Sequence, residues 1–443
     1  MESILLCLGG FVAVFWCARS SLIAGLSATL TVGYLYGIVR ANVPQEVSHF
    51  TFDAGAAGLY LAIWLRGLTP IQRLRIRKLK GWVICLVGWP LVLFFIPVQD
   101  PLIQLVGLRG EIWFVPFLLV GALMSDEERS QLAIWLAVLN LVALGFAFAE
   151  FTLGLTRFFP HNAVTALIYK QNDVLKDSAS AFRIPSTFPA QAAYSATMVL
   201  TIPFLAGAWV QTRCTRRQKA LLASGMIAAM LGVFLGASRS QALVLFAQLA
   251  ALASFSKIKL KHLVAFTVFA SVVGYWVSNE PRLQRFTQLD TDLVETRVHW
   301  SVNESFLEAL HDYPLGNGLG GGGTSMPYFL QNRVKNPVGI ENEYGRILLE
   351  TGIPGLCLWI AFIVMTIGGA PSERAGPWRA GWRLARVTSA LFFGTAVIGT
   401  GLLTAIPCTA LLLLMTGWLC APKLKRFRVG ADDAELWAVT AVG

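Results

Sequence analysis

The chain has 443 residues, 55% hydrophobic and only 14% charged, with a mean hydropathy of +0.61. Soluble globular proteins carry roughly 25% charged residues, so a soluble protein is excluded, and the length is taken up by apolar segments long enough to cross a bilayer. The formal net charge of +11 is scattered over short loops. That is how a membrane protein collects Lys and Arg on its cytoplasmic side, and it lacks the concentrated patch of a nucleic-acid binder.

The first apolar run follows Glu2 instead of a basic segment, and Trp16 precedes Cys17 where a signal cleavage site needs small residues, so it reads as a retained helix. Further runs fall at about 21 to 39, 52 to 66, 81 to 97, 111 to 124, 131 to 151, 191 to 211, 219 to 237, 240 to 256, 261 to 278, 344 to 369, 386 to 403 and 404 to 421. The fold expected is an all-α integral membrane protein with about thirteen transmembrane helices, forming a single polytopic domain over 1–443.

The strongest basic loop, Arg66 with Arg73, Arg75, Arg77, Lys78 and Lys80, is assigned to the cytoplasm. Alternating from it places every other basic cluster on the same side: Arg213 to Lys219, Lys257 to Lys261, Arg374 to Arg386 and the tail at 422–443. The N-terminus is then extracytoplasmic and the C-terminus cytoplasmic, with two long loops outside, 152–190 and 279–343. Such loops on a helical scaffold are where function concentrates. The seven cysteines show no disulfide or zinc spacing. Nor does any period of 20 to 50 residues recur, or any pair of Gly/Pro-broken helices in two halves, which argues against a secondary transporter.

Arg239 sits in Ala237-Ser238-Arg239-Ser240, a turn so short that an antiparallel helix hairpin is expected, with the guanidinium at its outer mouth. A permanent cation on that side calls for an anion, either lipid head groups or a diphosphate substrate. In the long loop, the stretch from 296 to 311 has helical spacing that puts Arg297, Trp300 and Glu304 on one face, so Arg297 either pairs with Glu304 or faces a substrate. Arg282 and Arg285 read as an interfacial basic face or a substrate contact, and His299 and His311 as ordinary loop histidines. Gly316 to Gly323 satisfies a formal GxGxxG without the strand–helix context of a dinucleotide site; it reads as a flexible turn with positive φ, or a backbone lining for sugar or phosphate.

The run Glu341-Asn342-Glu343-Tyr344 opens the eleventh span. Its acids suit a helix N-terminus. Arg346 and Glu350 are spaced to pair inside the span or to orient the mouth of a site, and Gly352, Pro354 and Gly355 predict a bend.

Four ordered elements, Arg183 to Phe188, Ser238-Arg239-Ser240, Arg297 to Trp300 leading into Pro314 to Gly318, and Glu341 to Tyr344 continuing through Glu350 to Gly355, resemble the O-antigen ligase and polysaccharide polymerase superfamily of bacterial inner membranes. The resemblance covers about 183 to 360 by motif and the remainder by topology. It implies a metal-independent glycosyltransferase without cofactor or nucleotide, which moves a glycan from undecaprenyl diphosphate to an acceptor hydroxyl at the periplasmic face. It implies Arg239 and Arg297 as holders of the diphosphate, Glu341 as general base, and Arg183, Arg285, Asn342, Tyr344 and Arg346 as substrate contacts. The ligases of the family carry His-Asn where this chain has Glu341-Asn342, so a repeat-unit or exopolysaccharide polymerase is favoured over a lipid A core ligase or a protein O-oligosaccharyltransferase. The partners implied are the lipid-linked donor, a glycan, lipid or protein acceptor, membrane lipids, and a chain-length regulator or flippase; nucleic acid is not among them. A polysaccharide transporter or flippase is the competing class, with Glu150, Arg346 and Glu350 as intramembrane coupling groups.

Overall fold

A computed structural model describes residues 1–166, 168–169, 183–211, 214–255, 275, 305–322, 326–338, 342–369, 377–422, 425–426 and 437–438. Apart from a two-residue antiparallel ladder, Lys425–Arg426 with Trp437–Ala438, these residues form helices and turns. In chain order the helices are α1 (Glu2–Ser20), α2 (Leu22–Asn42), α3 (Thr51–Arg66), α4 (Pro70–Phe94), α5 (Pro101–Ile112), α6 (Phe117–Leu123), α7 (Asp126–Leu153), α8 (Gln191–Trp209), α9 (Arg216–Leu235), α10 (Arg239–Phe255), α11 (Ser305–Asp312), α12 (Glu343–Gly368), α13 (Arg379–Thr395) and α14 (Cys408–Cys420).

Among the described residues seven helices are long and apolar enough to cross a membrane: α1, α2, the α5–α6 unit Pro101–Leu123, α7, α8, α9 and α12. Helices also occupy the other expected spans, but they are shorter or carry charged turns, as α3, α4, α10, α13 and α14 do. The span at 261 to 278 lies outside the described residues apart from Tyr275.

Burial orders the bundle. Apolar residues on all sides of α8 are 89% buried over its apolar window, as a helix enclosed by others requires. It packs against α7, α9, α13 and α14. In contrast only 17% of the α1 window is buried, and Ile4, Leu5, Leu8, Val12 and Trp16 form an outward apolar face suited to lipid. Between these extremes, a buried polar relay fixes the register of four helices: the Tyr34 hydroxyl donates to Asn140 Oδ1 (2.8 Å), whose amide donates to Thr201 Oγ1 (2.9 Å) and to the Gly225 carbonyl (3.3 Å).

The helix starts of α4, α7 and α9 carry reciprocal capping boxes, Thr69 with Gln72, Ser125 with Glu128 and Thr215 with Gln218. Described parts of the basic loops come together at that end of the bundle. Arg75 donates to the Leu123 carbonyl (2.9 Å), Arg129 stacks on Trp378 and Trp418, and Gln211 donates to the Pro377 carbonyl (2.8 Å). The opposite end gathers the chain between α2 and α3, the start of α5, the described parts of both long loops, and the link from α13 to α14. Contacts there include Asn162 to Ala41, Ile38 to Thr187 and Gln99 to Asn317.

Two expectations change in the structure. The turn before Arg239 is as tight as expected, with Ala237 at φ 45°, but no extended hairpin forms. After the turn α10 leaves α9 and packs mainly on α13, while α9 stays against α7 and α8. The glycine run is also packed instead of free. Gly316, Gly318 and Gly320 have φ of 89°, 82° and 78°, and the run is wedged between α5 and α12: Gly107 meets Gly320 backbone to backbone, and Gly316 abuts Gly352 and Leu349. Only residues without Cβ allow both approaches.

Candidate functional site

The bend predicted in α12 falls at Gly352, whose φ of 68° and ψ of −177° break the helix. The turn above it is stitched to the glycine run by Asn317 N–H to Leu349 O (2.6 Å) and Ile353 N–H to Pro314 O (2.9 Å). One turn higher, Arg346 has no exposed surface. Its guanidinium lies 2.5 Å from Glu111 Oε1 on α5, 2.9 Å from Glu343 Oε1 and 3.2 Å from Glu350 Oε2. The expected Arg346–Glu350 pair is present, within a larger cluster. Glu343 also accepts backbone N–H groups from Gly401 (2.7 Å), Leu402 (3.2 Å) and Leu403 (3.3 Å). The cluster therefore ties α5, α12 and the link before α14 together.

The remaining sequence-derived positions fall in two places. Asn342 is buried and caps α12 by accepting the Gly345 N–H, and the Tyr344 hydroxyl donates to the Phe393 carbonyl (2.7 Å). Both therefore sit beside the Arg346 cluster. The segment that begins at Arg183 is joined to the end of α9, just before the turn that carries Arg239: Ile184 N–H donates to Leu235 O (3.4 Å), and Ser186 N–H donates to the Glu150 carboxylate (2.9 Å). Arg239 follows four residues after Leu235, half-buried, as the first residue of α10. Glu341, Arg297 and Arg285, like Arg282 and His299, lie outside the described residues. His311 is exposed and paired with Asp312 (2.9 Å), and the described residues contain no cluster of His, Cys, Asp and Glu able to hold a metal.

Between these two places the bundle end opens into a cavity of about 410 Å³. Its walls come from the end of α2 and the chain after it (Tyr36, Arg40, His49, Phe50), from α5 (Arg109), and from Pro189 after the Arg183 segment. They are completed by both long loops, Ala163 to Ala166 and Met326 to Gln331, and by Thr404 to Ile406. Each wall has its own anchor. The 326–334 segment packs on α5 through Ile103, Val106, Met326, Leu330 and Val334, and Arg333 pairs with Asp100 (3.0 Å). Leu155, Phe159 and Ile168 pack on Ala41. The Arg346 cluster holds the rest, since Glu111 stands two residues from Arg109 and Glu343 grips the residues just before Thr404.

Among the described residues the charged side chains lining the cavity are Arg40 and Arg109. Both are held by aromatic rings, Arg40 5.4 Å over Tyr36 and Arg109 5.7 Å over Phe50. Arg109 also pairs with Asp53 through Nη2 (2.7 Å). Burial, together with the neighbouring Arg40 and Arg109 charges, pushes the His49 imidazole down to about 3, so it is neutral at physiological pH. These three residues were not singled out from the sequence. Yet the signal that marked Arg239, a basic residue at the outer end of a span, applies equally to Arg40 and Arg109.

No protein-family model and no curated protein matches this sequence.

Proposed function

We propose that the protein is a bacterial inner-membrane enzyme that transfers or polymerises a glycan from undecaprenyl diphosphate at the extracytoplasmic face. In this reading the chain crosses the membrane thirteen times, N-terminus outside and C-terminus inside, and the bundle end bearing the cavity faces the periplasm. The observation that carries it is the cavity itself. Its lining brings parts of the two long loops against a wall of arginines and aromatic rings, groups that suit the polar and flat faces of a glycan. Arg239, with Arg183, binds and stabilises the diphosphate as it leaves; Arg297 is assigned to the same task and Glu341 to the acceptor proton. No ATP is available on that face, so the free energy resides in the diphosphate bond. Polymerase chemistry is preferred to ligation because Glu341 stands where ligases carry histidine.

The competing transport reading draws on the buried charges in α12. Three observations favour a brace over a coupling site: Arg346 is enclosed, Glu343 is engaged by three backbone amides, and Gly322 packs closely over Glu350 and Arg346, where a Cβ would come within 3.0–3.3 Å of their side chains. The test is complementation of a strain lacking the gene. Arg239→Ala, Arg297→Ala and Glu341→Gln are expected to abolish long-chain polysaccharide and leave single lipid-linked repeats. Intact long chains in all three variants refute the enzyme reading, and full-length chains stranded on the carrier in the null replace polymerase with ligase.

A further inference from the structure

The cavity contains more hydrogen-bonding capacity than its own residues use. Arg40 Nε, Arg109 Nε and His49 Nε2 are buried nitrogens with no partner among the described residues, and all three side chains line the cavity. His49 is only 8% exposed. Buried N–H groups are costly to leave unpaired, so each calls for a water, an ion or a ligand to complete it. Nor is Arg40 engaged elsewhere by an acid: its Nη1 donates to the Tyr36 hydroxyl (3.3 Å), which itself donates to the His49 carbonyl (2.9 Å).

The charge of the wall sets the charge of the ligand. Arg40 and Arg109 contribute two positive charges, Asp53 offsets one through its contact with Arg109 (2.7 Å), and His49 adds none at neutral pH. Among the described residues one net positive charge remains. That balance matches a single carboxylate better than a diphosphate, which would bring at least two negative charges into a space already partly neutralised. The ring of Tyr328, 37% exposed, flanks the same space, offering a flat apolar face of the kind on which a sugar ring packs.

We infer that Arg40, His49 and Arg109 form a subsite for one acidic sugar residue, of the uronate class, gripped through its carboxylate while its ring lies against Tyr328. The carboxylate takes the free N–H edges of Arg40 and Arg109, and His49 Nε2 meets a hydroxyl of the same sugar. The diphosphate is handled separately at Arg239 and Arg183, so this subsite selects which glycan is accepted. That the sugar belongs to the transferred glycan rests on the glycan-transfer reading; the preference for a sugar carboxylate does not.

Binding to the purified full-length protein in neutral-lipid nanodiscs tests this by calorimetry, with a glucuronate tetrasaccharide, its neutral glucose counterpart, inorganic phosphate, and discs doped with phosphatidylglycerol. The uronate is expected to bind at least tenfold more tightly than the neutral sugar. Arg40→Met should weaken it at least tenfold and Arg40→Lys less, because lysine keeps the charge and loses the fork. Equal binding of charged and neutral sugars overturns the carboxylate assignment. Competition by phosphate or phosphatidylglycerol, with no uronate binding, overturns the sugar and makes the site a phosphate or lipid site. No binding of any anion to the wild-type protein overturns the subsite altogether. The wild-type comparisons keep the test decisive if a variant fails to fold, and uronate binding that persists while Arg239→Ala leaves polysaccharide intact separates this subsite from the enzyme reading.

Discussion

Replacing Arg346 by methionine tests whether the ion cluster is a structural brace or a substrate contact. The guanidinium has no exposed surface and serves three carboxylates at 2.5, 2.9 and 3.2 Å. Removing one partner of a buried pair costs about 3–5 kcal/mol, because the remaining charge is left uncompensated. Here three acids lose the same partner, and Glu343 keeps its three backbone amides, so the upper part of that range is expected. The loss should appear as a thermal midpoint several degrees lower by tryptophan fluorescence in detergent, with Arg346→Met/Glu350→Gln less destabilised than the single mutant because one stranded charge is gone. A normal midpoint for Arg346→Met combined with lost glycan transfer would refute the brace and restore Arg346 as a direct substrate contact.

Other perturbations probe separate links in the structure. Gly352→Ala forces a side chain into a φ of 68° and ψ of −177°, with its Cβ 2.7 Å from the Leu315 backbone; a loss of about 3 kcal/mol or more is expected, read as reduced yield and a lowered thermal midpoint. Asn140→Ala strands the Tyr34 hydroxyl and removes the amide donated to Thr201 Oγ1 and the Gly225 carbonyl and should cost about 1–3 kcal/mol by the same measurement. His49 gives a pH signature. Its folded value near 3 lies below the ordinary 6.5, so between those values the unfolded chain binds a proton that the folded chain refuses. Its contribution is therefore complete above pH 6.5 and disappears as pH falls toward 3, with a ceiling of about 5 kcal/mol. His49→Gln should flatten that part of the stability–pH curve.

What could be read from the sequence was what depends on local pattern. Apolar runs located the helices, and Gly352 announced its bend because no other residue suits that backbone. The Arg346–Glu350 pair was legible from its i, i+4 spacing. Glu111 was not, since 235 residues separate it from Arg346 and no periodicity reports such a distance. The glycine run misled for a related reason. Glycine has the same sequence signature whether it frees a loop or lets two backbones touch, and here Gly107 and Gly352 supplied the opposing surfaces.

The same limitation hid the cavity and explains its construction. Arg40 and Arg109 belong to different helices, and each alone resembles an interfacial arginine snorkelling toward head groups. They become a site only because Glu111 and Arg346 fix the segment of α5 that carries Arg109, while Glu343 fixes the residues leading into Thr404. The buried charges thus act on function through position: weakening them should move two cavity walls at once. If so, Glu111→Gln and Glu343→Gln should each weaken uronate binding although neither lines the cavity, and Arg40→Met should weaken it without lowering the thermal midpoint. Coincident losses of binding and stability in all three would mean that Arg40 is also part of the brace; a loss of binding confined to Arg40 would mean that the walls hold without it.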